Sequence, residues 1–332
     1  MWSRATHIAL AALSLLPCAD RVADWGIIAL RWALFVSLGL LFGLTAFKRL
    51  SLGGDHPSDA DVRHSWVILI LAVLAAALSV IGFAMQVSSM TGMPLAEVDR
   101  ATVQSLLDET ALGLALKVRL AALVAAIILA LAASLWRLSS SAAQALVSGV
   151  ALATLAWSGH GAATDGTVGW VHLAADILHL IAASIWIGAL AGFLWMLFRP
   201  GSGEVGKARQ TCRVLADFAT LGSTLVMVLL LTGLANAYFI LRDGDPWAAL
   251  AAPYGQFLAL KIILFVGMLA LAAVNRFRLT PALIAAVERR DPERTLKPLR
   301  RSIVLEFGLG IGILILVAWL GTLAPNPMPG AS

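Results

Sequence analysis

The sequence predicts an all-α, polytopic membrane protein, a bundle of eight transmembrane helices with both termini on the outer side of the membrane. The chain of 332 residues is 60% hydrophobic and 13% charged, whereas soluble domains are about half apolar and a quarter charged. Apolar runs of about 20 residues recur along the chain, and each can cross a bilayer core of about 30 Å. Lys and Arg concentrate in alternate loops, which indicates a fixed membrane topology.

Eight apolar runs predict the helices in order. The sixth run is longer than a bilayer requires, so we expect that helix to tilt or protrude. Two long polar stretches interrupt the pattern: residues 89–111 predict a short surface helix, and residues 278–301 predict a basic interfacial helix followed by a turn at Asp291 and Pro292. The predicted spans are 24–47, 65–88, 112–136, 142–159, 169–198, 209–241, 255–277 and 302–323.

The N-terminal segment contains a short apolar stretch, His7 to Leu16, preceded by Arg4. This order resembles a secretory signal, but the following "PCAD" is a poor cleavage site. We therefore expect a short, uncleaved helix that lies against the membrane. The predicted divisions are an N-terminal segment (1–23), an eight-helix membrane domain (24–323) and a C-terminal tail (324–332).

The distribution of Lys and Arg predicts the orientation. Sixteen of the 24 lie in the loops after helices 1, 3, 5 and 7, while the N-terminus and the other loops carry four and the C-terminal tail carries none. Since cytoplasmic loops are enriched in Lys and Arg, the basic loops are expected in the cytoplasm. The net charge of +5 therefore indicates membrane topology and not nucleic-acid binding. The remaining four cations lie within helices, near their outer ends: Arg31, Lys117, Arg119 and Lys261.

Three ionisable side chains occupy one face of the predicted fifth helix. Each residue of a helix advances about 100°, so His172, Asp176 and His179 project in similar directions. Imidazole and carboxylate groups in a membrane helix face the bundle interior or a water-filled cavity. His160 lies earlier in the chain, at the outer end of the fourth helix, and we expect it to be within reach of this face. Together these four side chains form a candidate site for Cu(II), Zn(II) or a similar ion.

The spacing of the site predicts two stations rather than one. His172 and His179 lie about 10 Å apart along the helix axis, too far for one ion to bind both. Asp176 can pair with either histidine, completed by His160, which suggests two successive positions along a path. Trp186 continues the same stripe one or two turns deeper and is a candidate for closing that path.

Methionines at the outer end of the second helix extend the candidate site. Met85, Met90 and Met93 lie there, and thioethers select Cu(I). Met90 and Met93 are the candidate metal ligands at the entrance. Packing and anchoring of the loop is the competing explanation for these side chains.

Two other functions remain open from the residues alone. In one, two histidines on neighbouring helices bind haem b as axial ligands, and the four in-helix cations hold its propionates. In the other, the chain is a structural subunit whose histidines form interhelical hydrogen bonds and whose cations extend to the headgroups or pair with Asp176. No Gly-rich phosphate loop, HExxH or GxSxG motif is present, so we expect neither an enzyme nor direct ATP-driven transport. Two further in-helix anions, Asp217 and Glu306, lie away from the candidate site.

Several short pieces, in their order and spacing, resemble the copper resistance protein D (CopD/PcoD) family of bacterial inner-membrane proteins. The pieces are "MTGMPL", "LLDETALGLALKVRLA", "SGHGA", "DILHLIAASIWIGAL", "TGLANAYFI", "PYGQFLALKIILF", "AVNRFRLTP" and "LRRSIVLEFGLGIGILILVAWLGTLAP". The resemblance implies eight membrane helices, a role in copper homeostasis and movement of copper ions across the inner membrane into the cytoplasm. The histidine pieces of the family correspond to His160, Asp176 and His179.

The resemblance also implies a partner. Members of the family often act beside a periplasmic copper-binding protein, CopC, which is fused to some members. No CopC-like β domain precedes the first helix, so we expect any such carrier to be a separate chain. The expected ligands are thus copper ions, the lipid bilayer and a CopC-like carrier.

Overall fold

The described part of the chain is helical. The computed structural model describes residues 21–51, 59–94, 96–136, 140–158, 166–198, 204–241, 252–289 and 292–323, and within these ranges it contains no strand. The helices are α1 Arg21–Ser51, α2 Asp59–Thr91, α3 Arg100–Glu109, α4 Ala111–Trp136, α5 Ser141–Ala153, α6 Gly166–Phe198, α7 Glu204–Leu241, α8 Pro253–Val274, α9 Thr280–Glu288 and α10 Glu293–Leu320. A 3-10 turn, Thr154–Ser158, extends α5, and a π turn, Asn275–Leu279, joins α8 to α9.

Seven helices of the described ranges are long and apolar enough to cross a membrane. The predicted fourth span, 142–159, corresponds to the shorter apolar helix Ser141–Trp157, about 26 Å long. The predicted surface helix between the second and third spans is α3, whose N-terminus is capped by Asp99. The Thr102 amide donates to Asp99 Oδ1 at 2.6 Å, and this hydrogen bond lowers the pKa of Asp99. Residues 1–20 of the predicted N-terminal segment (1–23) and the predicted tail (324–332) lie outside the described residues, while residues 21–23 belong to α1.

The chain around the last basic loop is more helical than predicted. The sequence predicts a basic interfacial helix and a turn over residues 278–301, with the last span beginning at 302, but α10 already begins at Glu293 and continues into that span. The reason is a helical spacing of apolar side chains: Leu296, Leu299 and Ile303 are all buried, so one face of this segment packs against the bundle. Arg290 and Asp291, at the predicted turn, lie outside the described residues.

The centre of the bundle is the crossing of α1 and α6. A Cβ atom on Gly188 would overlap the backbone of Gly43, and a Cβ atom on Gly192 would overlap the ring of Phe47. Small residues allow membrane helices to approach closely where lipid offers no hydrophobic driving force. Helices α2, α4 and α5 pack on one side of this pair, and α7, α8 and α10 pack on the other.

The two ends of the bundle differ. The basic end carries Lys and Arg at the end of α1, the start of α2 and α7, and around α9 and the start of α10. The cavity end contains the N-terminal ends of α1, α4, α6 and α8 and the C-terminal ends of α2, α7 and α10, which surround one large cavity. The candidate site residues of α6 lie at the cavity end.

Candidate functional site

A cavity of about 840 Å³ occupies the cavity end of the bundle. Most of its wall is apolar, as expected where seven membrane helices diverge. Its polar groups come from α6, α7 and α8 and also from α1, α2 and α4, which contribute Arg31, Gln86 and Arg119 among others. They include His172, Asp176, His179, Asn236 and Lys261. The helical periodicity of α6 correctly predicted that its three ionisable side chains share one face toward the bundle interior.

His179 is held by a hydroxyl on the neighbouring helix. Its Nδ1 lies 2.9 Å from Thr232 Oγ1, and that hydroxyl donates its own proton to the Val228 carbonyl at 2.6 Å. A hydroxyl has one proton to donate, so Thr232 accepts from His179 and the ring proton lies on Nδ1. The lone pair of His179 is therefore on Nε2. Metal-binding histidines are commonly oriented by such a hydrogen bond at the other ring nitrogen.

Asp176 lies between an amide and an ammonium group. Asn236 Nδ2 donates to Asp176 Oδ1 at 3.3 Å, and among the described residues Asn236 Oδ1 has no hydrogen-bond partner although it is buried. Lys261 lines the same cavity, and its charge interacts with that of Asp176. Asp176 and Lys261 thus share the cavity wall and attract each other. Among the described residues they do not form an ion pair.

His172 lies nearest the end of α6. It is buried, and its ring stacks on Phe239 of α7 with the centroids 4.7 Å apart. The contact fixes the plane of the imidazole one turn from Asp176. His172 thus contributes to the cavity wall with an orientation set by packing.

The other predicted ligands lie elsewhere. His160 falls outside the described residues. Met90 lies in the last turn of α2 and Met93 lies just after it. They are 60% and 42% exposed, and neither lines the cavity. Met85, one turn earlier, lines the cavity. Within the described ranges, no three His, Cys, Asp or Glu side chains come close enough together to bind one ion.

Each of the four in-helix cations has a different environment. Lys117 pairs with Asp108 of α3 at 3.1 Å. Arg119 donates to the hydroxyl and carbonyl of Thr154, at 2.7 and 3.2 Å, and so caps the end of α5. Arg31 lies against Gly321 at the end of α10, where a cation is favourable to the helix dipole.

These environments bear on the haem hypothesis. That hypothesis explained the four cations as a binding site for propionates, but Lys117 and Arg119 bond to protein groups and Lys261 interacts with Asp176. Arg31 differs, because its Nε has no hydrogen-bond partner among the described residues. The two described histidines of the cavity also lie on a single helix, α6, and not on neighbouring helices. The described residues therefore give haem b no support.

Sequence reasoning missed the partners of the site on α7. Thr232 and Asn236 are four residues apart and share one face of α7. Thr232 contacts His179, and Asn236 contacts Asp176. Their sequence, "TGLAN", contains this spacing. Polar residues at i and i+4 in an apolar helix were the available signal, but nothing in the sequence showed that this face meets α6.

Two family profiles match the chain. The profile "Copper resistance protein D-like, N-terminal domain" matches residues 22–170, and the profile "Copper resistance protein D" matches residues 212–320. The chain is 37% identical to copper resistance protein D of Pseudomonas syringae pv. tomato over 307 residues, 91% of this chain and 98% of the relative. No solved structure gives a significant match.

Two further relatives cover about half of the chain. The inner membrane protein YebZ of Escherichia coli (strain K12) is 31% identical over 52% of this chain and 55% of its own length. The copper transport protein CutJ of Bacillus subtilis (strain 168) is 35% identical over 52% of this chain and 29% of its own length. The apolar helices and these similarities identify a multi-pass protein of the inner membrane. The chain belongs to the copper resistance protein D family.

Proposed function

We propose that this protein moves copper ions across the inner membrane, and that the ion binds on the cavity face of α6 at Asp176 and His179. His172 and His160 complete the donors in this proposal, with His172 and Asp176 forming a second station nearer the cavity end. Met90 and Met93, beside the cavity at the end of α2, meet the ion before it enters.

One observation carries the proposal. Two atoms with free acceptor capacity belong to side chains that line the cavity together with Asp176: Nε2 of His179, whose other nitrogen is bonded to Thr232, and Oδ1 of Asn236, which has no hydrogen-bond partner among the described residues. Imidazole nitrogen and carboxylate oxygen are ligands that copper accepts. Buried polar atoms are normally satisfied, so unsatisfied acceptors beside a carboxylate favour a bound cation.

The surrounding helices would tune this binding. Lys261 repels a cation in the cavity but also balances Asp176 when no ion is bound. In the empty site, Lys261 keeps Asp176 from being an uncompensated buried charge. When a copper ion binds at Asp176, the ion compensates the carboxylate instead. Weak net binding suits a transport site, because the ion must also leave.

The topology follows the charge distribution. We place the cavity end in the periplasm and the basic end in the cytoplasm, since Lys and Arg mark cytoplasmic loops. The short helix Ser141–Trp157 then provides an eighth crossing, and both termini are periplasmic. The protein acts as a transporter without enzymatic activity, and it receives copper from a separate CopC-like periplasmic carrier.

Copper accumulation in cells tests the site. We expect His179→Ala and Asp176→Asn to abolish copper accumulation that depends on this protein, while its amount in the membrane stays normal. The matched controls are His64→Ala and Asp217→Asn. His64 lines a separate small cleft with Lys48 and Ser65 at the basic end, and Asp217 is exposed on α7.

The controls separate the site from general damage. Both control variants are expected to accumulate copper as the wild type does. Normal accumulation in both His179→Ala and Asp176→Asn would refute the site. No protein-dependent accumulation in the wild type, in cells that receive copper in the periplasm, would refute copper transport itself.

A further inference from the structure

Glu306 is a buried carboxylate that the copper site does not use. It lies on α10 and is 3% exposed. Its Oε1 accepts a hydrogen bond from Trp186 Nε1 of α6 at 3.0 Å, and its Oε2 accepts one from Asn275 Nδ2 at 2.8 Å. Glu306 thus joins three helical segments at a depth below the cavity.

No cation neutralises this carboxylate. Both of its partners are neutral N–H groups, and among the described residues no Lys, Arg or His lies within ion-pair distance of it. Four described helix stretches near it contain no titratable side chain besides Glu306: 32–47 of α1, 180–198 of α6, 262–274 of α8 and 302–320 of α10. The π turn that carries Asn275 also packs on α10, and its Arg276 and Arg278 are exposed. Arg276, beside Asn275, points to α7, where it contacts the Ala219 carbonyl and Ser223.

An isolated buried carboxylate must be neutralised by a proton or a cation, since its free energy in a medium of low dielectric is high. Neither hydrogen-bond partner of Glu306 is an imidazole or a sulfur, which are the ligands that copper prefers. A proton needs no coordination sphere, only one acceptor for the new O–H group. The structure offers that acceptor next to the carboxylate.

The acceptor is the side-chain oxygen of Asn275. Asn275 is 7% exposed, and its Oδ1 has no hydrogen-bond partner among the described residues. Rotation of the amide by about 180° exchanges its oxygen and nitrogen, and the two orientations are distinguished only by their hydrogen bonds. Asn275 can therefore donate to an ionised Glu306 and accept from a protonated one.

The backbone at Asn275 is also unusual. A π turn begins at this residue, with the Thr280 amide donating to the Asn275 carbonyl. Such π turns inside α-helices are frequently found at functional sites. Here the turn comes where α8 passes the carboxylate of α10, so it orients the one amide that can serve both protonation states.

We propose that Glu306, with Asn275 and Trp186, is a proton-binding site of this membrane domain, and that one proton is exchanged there for each copper ion that crosses. On binding, an O–H bond forms between the proton and one carboxylate oxygen, and on release the same bond breaks; no electron is transferred. The coupling to copper rests on the proposed function, whereas proton binding at Glu306 does not.

The indole of Trp186 links the two sites. It lines the floor of the cavity while its N–H group bonds to Glu306. An ionised Glu306 holds the indole in place and keeps the floor closed. Protonation of Glu306 weakens that hydrogen bond because the acceptor loses its charge. The weaker bond releases the indole, so protonation favours opening of the cavity floor.

Infrared difference spectroscopy of the purified full chain tests proton binding directly. As the pH is raised from acidic to alkaline, we expect the wild type to lose a carboxylic-acid C=O band that Glu306→Gln lacks. Glu306→Asp should retain such a band, and Glu288→Gln, which removes an exposed carboxylate at the end of α9, should leave it unchanged. An identical titrating band in wild type and Glu306→Gln overturns the proposal.

Copper uptake into proteoliposomes tests the coupling. For one proton exchanged per ion, a difference of about one pH unit across the membrane changes the copper accumulation ratio about tenfold. We expect that dependence in the wild type, in Glu306→Asp and in Glu288→Gln, and its loss in Glu306→Gln. Gradient dependence that persists in Glu306→Gln overturns the coupling.

The two measurements fail in different ways. A wild type that moves no copper contradicts the proposed function, and the infrared result then decides proton binding at Glu306 alone. A wild type that moves copper, but lacks the titrating band, contradicts the inference and leaves copper transport standing.

Discussion

The two halves of the α1 and α6 pair differ in packing and in the polar side chains that they place in the bundle interior. Toward the basic end the helices touch at Gly43 and Gly188, and the surrounding side chains form the apolar core. Toward the cavity end the same helices face a space of about 840 Å³, and α6 presents two histidines and an aspartate to it. The close contact and the cavity are two consequences of one crossing, because helices that meet at an angle diverge away from the contact.

The difference also separates the two buried carboxylates. Asp176 lies in the cavity, where an amide, a lysine and two histidines surround it. Glu306 lies in the packed half, with two neutral donors only. A site that shares its charge with several groups suits a metal ion, while an isolated carboxylate suits a proton.

The glycine contact is the part of the comparison that is easiest to break. Gly188→Val places a side chain against the backbone of Gly43, and we expect a loss of at least about 3 kcal/mol in the free energy of unfolding. The control is Gly308→Val, since a Cβ atom there meets nothing within 4 Å. Thermal unfolding and monodispersity of the purified protein measure the effect. Equal stability of both variants would contradict a packed inner half.

Removing the hydroxyl that orients His179 tests the role of the cavity half in copper binding. Thr232→Val keeps the shape of the side chain but loses the acceptor for Nδ1. Since outer hydrogen-bond partners typically contribute about 10- to 100-fold to metal affinity, we expect copper binding to weaken at least about tenfold. Thr224→Val, at an exposed position of the same helix, should bind copper like the wild type. Unchanged affinity in Thr232→Val would remove His179 from the site.

The smallest effect is expected at Lys261. Lys261→Met removes the charge that competes with a cation for Asp176, so we expect copper to bind about fivefold more tightly. Lys117→Met is the matched control, because Lys117 pairs with Asp108 at the surface. Isothermal titration with copper measures both. Weaker binding in Lys261→Met would mean that the lysine supports the site instead of opposing it.

Much of the fold could be predicted from the sequence, because apolar runs of sufficient length must form helices in a membrane. The direction of His172, Asp176 and His179 also followed, since a helix fixes the relative angle of its own residues. The helical segment at 141–158 lies within one residue of the predicted fourth span, 142–159. The continuation of α10 through residues 293–301 departed from the prediction, because the burial of Leu296 and Leu299 became evident only in the structure.

The partners of the site could not be predicted. Periodicity does not determine how a neighbouring helix is rotated, so Thr232 opposite His179 and Asn236 opposite Asp176 required the structure. The same limit applies to Arg119, whose partner Thr154 lies 35 residues away. It applies to Trp186 and Glu306 as well, which are 120 residues apart in sequence.

X-ray absorption spectroscopy of the copper-loaded, purified protein tests the central claim most directly, because it reports the atoms that surround the ion. We expect nitrogen and oxygen ligands with imidazole scattering in the wild type and in His64→Ala, and weaker imidazole scattering in His179→Ala. A spectrum of His179→Ala that is identical to that of the wild type would show that copper binds elsewhere and would contradict the assignment of the α6 face as the copper site.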